Sequence, residues 1–282
     1  VHKNINQQTF DLNLKAEKPM NYNWRLEMPN RELMPKYEGN TYVGYLDISG
    51  FKQMMSDNRK KAECVLDGFY GTIYDNVYRA NFGDSTRVKF NAVVVSDCAV
   101  LFLSRQDSAG RNDVDKIEGL SIILEIIKNM NRTFINHHYP FITTCSIAYG
   151  QLHYENRKEI DYIRKNCIRG QAYIDAFSDS ESNEPRMQPG ECRILKKSLK
   201  IALPDNRLFS LLKSKGKHYY FYWMLQDERN INNYELSYKG TKENMYDSLV
   251  RLMQDSCRPT NQPDRLNQKL KARKKIHRTR LA

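Results

Sequence analysis

Long apolar runs are missing from this chain. Mean hydropathy is −0.73, and no stretch of the sequence approaches the ~18 consecutive apolar residues of a membrane-crossing helix. A charged-then-apolar leader is missing from the N-terminal residues as well. The six cysteines, at positions 64, 98, 145, 167, 192 and 257, are scattered and form no CxxC pair. Neither a zinc site nor a disulfide framework follows from such a pattern, and a reducing cytoplasm is the compartment it fits. No internal repeat is present. Acids are scarce relative to bases: Asp and Glu number 33 against 45 Lys and Arg, a net charge of +12 over 282 residues. Part of that excess is local, because Arg265 to Arg280 carries eight Lys or Arg and no acid. A solvated tail is its plain reading; a nucleic-acid contact or an arm on a partner subunit is a less favoured one.

The most informative stretch is residues 41–56, TYVGYLDISGFKQMMS. An apolar run climbs to Asp47, the chain turns at Ser49-Gly50, and Phe51 opens a helical pattern. Strand residues alternate faces, so Val43, Tyr45 and Asp47 are expected on one face. A carboxylate at a strand end can hold a metal. The backbone N–H groups of Ser49, Gly50 and Phe51 would then face phosphate oxygens at a helix start. A second stretch, VKFNAVVVSDCAVLFLS over 88–104, reads as a hairpin with Asp97 at its tip. Two carboxylates on neighbouring strands are how a two-metal nucleotidyl site is built. A turn role for each Asp is the alternative, and the pairing of the two motifs favours the metal site.

The rest of the chain frames these motifs. Residues 1–40 are polar, contain Pro19, Pro29 and Pro35, and read as an arm. A strand over 41–48 is followed by helical segments at 51–55 and 59–81. The second places Cys64, Leu66, Phe69, Ile73 and Val77 near one face. Residues 113–137 form an amphipathic helix with Asp113 as its expected N-cap, and Ile117, Leu120, Leu124, Ile127 and Phe134 on one side. A strand is expected over 141–154, where Gly150 signals a bulge or a close backbone approach. A loop then leads to a helix from about 166, and a strong strand spans 217–226. A helix over 240–257 and the basic tail complete an extension from 227 to 282. The order β-α-β-β-α-β over 41–226 makes an α+β fold, a ferredoxin-like palm.

In this frame the chain resembles the class III nucleotidyl cyclases. Leu46-Asp47-Ile48-Ser49-Gly50-Phe51 is similar to that family's metal motif D-I-x-G-F, and Ser96-Asp97 stands where the family has its second metal Asp. Ser146-Ile147-Ala148-Tyr149-Gly150 looks like its I-G-I-H-x-G strand. Gly170 to Ala176 looks like its G-x-x-V-N-x-A helix opening. Lys213-Ser214-Lys215-Gly216-Lys217, before Tyr219-Tyr220-Phe221, is similar to its strand-leading lysine motif. The resemblance implies that Asp47, Asp97 and the Ile48 carbonyl hold two Mn²⁺ or Mg²⁺ ions, with Lys213 serving catalysis. It also implies a homodimer whose active sites lie at the interface and take a nucleoside triphosphate.

Departures from the family's pattern bear on the base. The purine-reading positions correspond to Val93 and Cys167, and Val93 has no group to offer a purine edge. The family's transition-state Asn and Arg correspond to Ile174 and Ser178. Asp175, Arg164, Lys165, Lys213 and Lys215 are candidates around base and phosphates, and Lys52 puts a positive charge after the Gly-Phe pair. Among class III cyclases the chain is most similar to the pyrimidine cyclases of bacterial Pycsar antiphage systems. That implies UTP or CTP as substrate, with Tyr45 helping to close a smaller pocket. Two other classes remain open: another two-metal palm enzyme, although Val-Ser-Asp-Cys replaces the G-G-[DE]-E-F of diguanylate cyclases, and a non-catalytic nucleic-acid-binding module.

Overall fold

A computed structural model describes residues 36–81, 87–105, 112–137, 140–160, 163–232 and 234–235. The expected N-terminal arm up to residue 35, the helix at 240–257 and the basic tail lie outside the described residues.

The first strand, β1 (Lys36–Ile48), starts five residues earlier than its apolar pattern suggests. The polar opening Lys36-Tyr37-Glu38-Gly39-Asn40 is held in place by long pairing with a later strand. Helices α1 (Phe51–Asp57) and α2 (Arg59–Asn81) follow, separated at Asn58. A hairpin of β2 (Val88–Val95) and β3 (Cys98–Arg105) then turns at Ser96-Asp97, with Ser96 at φ 55°. Helix α3 (Lys116–Ile135) leads to β4 (Thr143–Ile160). Up to this point the strands order as β2-β3-β1-β4, with β1 antiparallel to both neighbours. That is the split βαββαβ palm.

The remaining strands extend the sheet on the β4 side. β5 (Ile163–Arg169) pairs antiparallel with the distal half of β4. Helix α4 (Gln171–Ser180) crosses back, and β6 (Cys192–Leu195) joins the proximal half of β4 in parallel. β7 (Leu212–Lys215) and β8 (His218–Phe221) close the edge, giving the order β4-β6-β8-β7 in an eight-stranded sheet.

The two faces of the sheet are covered differently. Helices α2 and α3 bury Ala62, Val65, Phe69 and Ile73 with Leu120, Ile123, Leu124, Ile127, Met130 and Phe134 against one face. Each of these Val, Leu, Ile, Phe and Met side chains stabilises by about 1.5–3 kcal/mol when removed from water. The other face of the central strands carries α4, whose Phe177 ring sits 5.3 Å from Tyr45 in an edge contact. A close approach makes this possible. Gly170 precedes α4 at φ 128°, and a Cβ there would lie 2.3 Å from the Gln151 carbonyl oxygen. The bulge or close approach expected at Gly150 is not there: its pairing with Thr41 is regular and a Cβ would meet Ala172 N at an ordinary 3.5 Å, so the residue that requires glycine is Gly170.

Several local expectations are corrected. Asp115, not Asp113, caps α3, accepting from the Ile117 and Glu118 N–H groups. Asp113 instead binds the Asn40 N–H and side-chain amide. Ile117 is exposed, off the buried stripe. The segment read as a loop before residue 166 is the β4–β5 hairpin, whose polar residues lack an apolar alternation. The strand expected over 217–226 ends at Phe221, and Tyr222 to Leu225 continue as a buried loop tied down by Trp223 Nε1 to the Gly190 carbonyl at 2.8 Å. Among the described residues no helix is long and apolar enough to cross a membrane.

Candidate functional site

Asp47 is the last-but-one residue of β1, on the α4 face with Val43 and Tyr45, as alternation predicts. Its register partner is Cys98, the first residue of β3, so the hairpin turn places Asp97 beside it. The Ile48 N–H donates to the Asp97 carbonyl at 3.0 Å, which locks the turn to the strand end. Tyr70 from α2 adds a hydroxyl bond to the Ser96 carbonyl at 2.9 Å. Two strands and a helix thus bring Asp97 next to the strand end that carries Asp47, near enough for its charge to act on the Asp47 carboxyl.

The local turn is built by glycine. Gly50 takes the left-handed conformation, φ 76° and ψ 17°, as N-cap of α1, and nothing would obstruct a Cβ there. The requirement is therefore conformational rather than steric. The Ser49 N–H already donates to the Ile142 carbonyl at 2.9 Å, so it is not directed at a ligand. The Ser49 hydroxyl is buried and has no partner among the described residues. Phe51 packs into the core and Lys52 is exposed.

Electrostatics mark Asp47. Burial first, then the neighbouring Asp97 and Glu181 carboxylates, push its carboxyl up from 3.8 to about 7. Among the described residues no cation offsets these causes. Burial and the neighbouring carboxylates also raise the Cys98 thiol, which donates to the Val95 carbonyl at 3.0 Å. Glu181, at the C-terminal end of α4, is a group that sequence reasoning missed. Only the chain crossing that returns α4 over the sheet brings it there, and no local pattern signals that crossing.

This cluster fits a divalent cation. Two adjacent carboxylates with a third nearby, one of them half-buried and none paired with a base among the described residues, could hold a positive ion. Among the described residues no group of three or more His, Cys, Asp or Glu is placed to hold a metal ion by itself. Coordination would therefore be completed by a backbone carbonyl, water or phosphate oxygens, as at open two-metal sites.

The other expected site residues spread across the sheet. Val93 pairs with Val100, which pairs with Tyr45, so these three form one row next to the Asp47 row, with Val100 buried and the other two half-buried. Cys167 and Arg164 lie on β5, opposite Glu155 and Lys158 of β4, whereas Asp47 pairs with Thr144 at the other end of that strand. Asp175, on α4, is held by Lys197 and Gln171, both at 2.7 Å. Lys213, on β7, is four strands from β1, or ~19 Å at ordinary strand spacing. Its ammonium contacts Glu235 and Asn232, both at 3.2 Å. One chain therefore brings together Asp47, Asp97, Tyr45 and the Gly50 turn, and leaves Lys213, Arg164 and Cys167 apart from them.

Beneath α4 lies a buried polar knot. Asp179 accepts from Ser146 at 2.6 Å and Arg193 Nε at 2.8 Å, and its other oxygen meets His218 Nε2 at 2.7 Å. Arg193 also donates to the Asp179 and Pro185 carbonyls. Burial alone would raise the Asp179 carboxyl, but these hydrogen bonds outweigh it and hold the group below its ordinary value. The knot ties α4 to β4, β6 and β8, two residues before Glu181.

No family model matches the chain, and no curated protein matches it. Solved structures of similar architecture include a class III adenylyl cyclase-like ATP-binding protein from Pseudomonas aeruginosa, 15% identical, with a TM-score of 0.49. That match covers 70% of this chain and only 40% of the other. The guanylyl cyclase Cya2 is 14% identical over 66% of this chain and 92% of its own, with a TM-score of 0.43. The adenylyl cyclase CyaB from P. aeruginosa is 14% identical over 66% and 94%, also at 0.43. With TM-scores below 0.5, these likenesses place no residue in a role; the palm assignment rests on strand order and register.

Proposed function

We propose that this protein is a nucleotide cyclase, a phosphorus–oxygen lyase that converts UTP to 3′,5′-cyclic UMP and pyrophosphate, with CTP as the second candidate substrate. The product would serve as a messenger in antiviral defence. The observation that carries the reading is the juxtaposition of Asp47 and Asp97 at the end of the central strands, with Asp47 raised to about 7.

Asp47, Asp97 and the Ile48 carbonyl would hold two Mn²⁺ or Mg²⁺ ions, which lower the pKa of the ribose 3′-hydroxyl and neutralise the phosphates. The chain's own groups do the rest. The Gly50 turn presents backbone at the site, and Phe51 anchors that turn in the core. Lys52, exposed one residue on, offers a positive charge to the phosphates. Tyr45 and Phe177 wall the α4 side and limit water access to the carboxylates. The row of Tyr45, Val100 and Val93 is aromatic and aliphatic and provides no hydrogen-bonding partner on Val93 or Val100 for a purine edge, which supports a pyrimidine base.

The test is to incubate the protein with Mn²⁺ and each of ATP, GTP, CTP and UTP separately, and to identify products by mass spectrometry. Cyclic UMP or cyclic CMP with pyrophosphate is the expected result. Cyclic AMP or cyclic GMP would keep the reaction and overturn the base assignment.

A further inference from the structure

The two edges of the sheet differ. β7 ends it on one side with Lys213 and Lys215, and β2 ends it on the other. From Phe90 to Val95, β2 has no charge, no proline and no bulge in its pairing with β3. Those are the devices that keep an edge strand from pairing further. Residues of an antiparallel strand point their N–H and C=O alternately to one side and the other. Phe90 shows which side is which. Its N–H donates to Asn81 Oδ1 at 2.8 Å and its carbonyl accepts from Asn81 Nδ2 at 2.7 Å, so both groups face away from β3. Ala92 and Val94 point the same way. Among the described residues no strand and no side chain bonds to their outward groups.

Apolar surface borders this edge. Tyr70 reaches the Ser96 carbonyl at one end of β2 and Asn81 holds Phe90 at the other, so α2 runs along the strand. Between those anchors Tyr74 and Tyr78 are 40% and 41% exposed, and Val95 at the strand end is 61% exposed.

We propose that β2 is a self-association edge: it pairs antiparallel with β2 of a second copy of this chain, about a two-fold axis at Val93, and joins the two sheets into one. A two-fold contact brings the same strand from both copies, so one pairing satisfies both. The register follows from which groups are available. With Val93 on the axis, Ala92 meets the partner's Val94 and Val94 the partner's Ala92, and the outward groups of both residues are all bonded. With Ala92 on the axis, Val94 would meet the partner's Phe90, whose groups Asn81 already holds. With Val94 on the axis, Ala92 would meet the partner's Ser96, which has left the strand at φ 55°. The Val93 register also continues the row of Tyr45, Val100 and Val93 into the same row of the partner, apolar side chains beside apolar ones. It places Lys89 opposite the partner's Asp97, so unlike charges meet at each end of the contact. An unrelated extended peptide would match the backbone groups but neither of these features. The contact is distinct from any sharing of Lys213 between subunits, because β7 is the opposite edge of the sheet.

Disulfide trapping in the full chain tests the register. On the axis Val93 faces its own copy in a non-hydrogen-bonded pair, with about 4.5 Å between Cα atoms, inside the range that a disulfide accepts. Val93→Cys, oxidised mildly with copper–phenanthroline, is expected to give a covalent dimer joined through the introduced cysteine of both copies, identified by peptide mass spectrometry. Val95→Cys is more exposed, yet in this register it lies about 14 Å from its copy. At least about fivefold less dimer is therefore expected from it. Adding Ala92→Pro to Val93→Cys keeps every bond to β3, because the lost N–H faces outward, and blocks the partner. Trapping should fall at least about fivefold. Should the proline form fail to fold, Val95→Lys in the same background sets an ammonium diagonally across from the partner's Lys89, and a loss of the same sign is expected. Equal trapping at 93 and 95, a bond from the introduced cysteine to a native cysteine instead of its copy, a dimer that neither addition weakens, or no covalent dimer at all would each overturn the proposal.

Discussion

Asp47 makes the stability of the metal-free protein depend on pH in an unusual direction. Its carboxyl sits at about 7 in the folded chain, against 3.8 without the fold. A carboxyl with a raised folded-state value keeps a proton that the unfolded chain has already released. Stability is therefore lost as pH rises from about 4 to about 7. The full difference corresponds to at most about 4 kcal/mol. Asp47 is half-buried, so water screens part of this, and about 2 kcal/mol is expected. The assay is denaturant unfolding in EDTA at about pH 4 and about pH 7.5, for the unmodified protein and for Asp47→Asn. Other groups titrate in that range, among them His218, which burial lowers despite Asp179. The readout is therefore the difference between the two proteins. Asp47→Asn should gain about 2 kcal/mol relative to the unmodified chain on going to the higher pH. Millimolar Mn²⁺ should stabilise the unmodified chain more at the higher pH, because the proton must leave before the ion binds. Parallel pH curves for the two proteins would refute the reasoning about burial and Asp97.

Three further outcomes are expected. Asp97→Ala should lower cyclase turnover by about a thousandfold or more, since several kcal/mol of charge stabilisation is lost with the ion; retained turnover in a nucleotide assay would remove Asp97 from the site. Asp179→Ala should cost about 3–5 kcal/mol in denaturant unfolding, because it strands Arg193, whose side chain is 0% exposed. Gly170→Ala places a methyl 2.3 Å from the Gln151 carbonyl at a φ of 128°, so a loss of at least about 1–3 kcal/mol in unfolding free energy is expected, with α4 displaced from β4.

The palm was legible because its signals are local. The run ending at Asp47, the Gly50 turn, the Ser96-Asp97 hairpin tip and the long amphipathic α3 each declare themselves within about ten residues. The placement of Asp47 beside Asp97 follows from those signals once the strand order is drawn. Glu181 and the Asp179–Arg193–His218 knot were not legible. They depend on four segments far apart in sequence that meet only after α4 crosses the sheet, and a buried Arg or His has the same local signature as an exposed one. The β4–β5 hairpin was missed for a different reason. Its strands are polar, and pairing with each other rather than a buried face defines them. The separation of Lys213 from Asp47 was not legible either, since no sequence pattern states how many strands lie between two residues.

That separation has a consequence for assembly. Lys213 lies ~19 Å from β1 across four strand steps, well beyond the reach of a lysine side chain to phosphates held at Asp47. Both residues can serve the same triphosphate only if Lys213 comes from a second copy of the chain. Two inactive variants then complement each other. An Asp47→Asn chain lacks the metal carboxylate but has an intact Lys213, and a Lys213→Met chain has the reverse. In a two-fold dimer of one of each, one site collects both defects and the other collects none. Mixing equal amounts, with time for subunits to exchange, should restore about a quarter of the unmodified activity, because about half the dimers are mixed and each has one sound site. The restored activity should rise with total protein concentration as dimers form. If each variant alone is inactive and every mixture is inactive too, Lys213 and Asp47 do not share a site across subunits, and the role expected for Lys213 in catalysis falls.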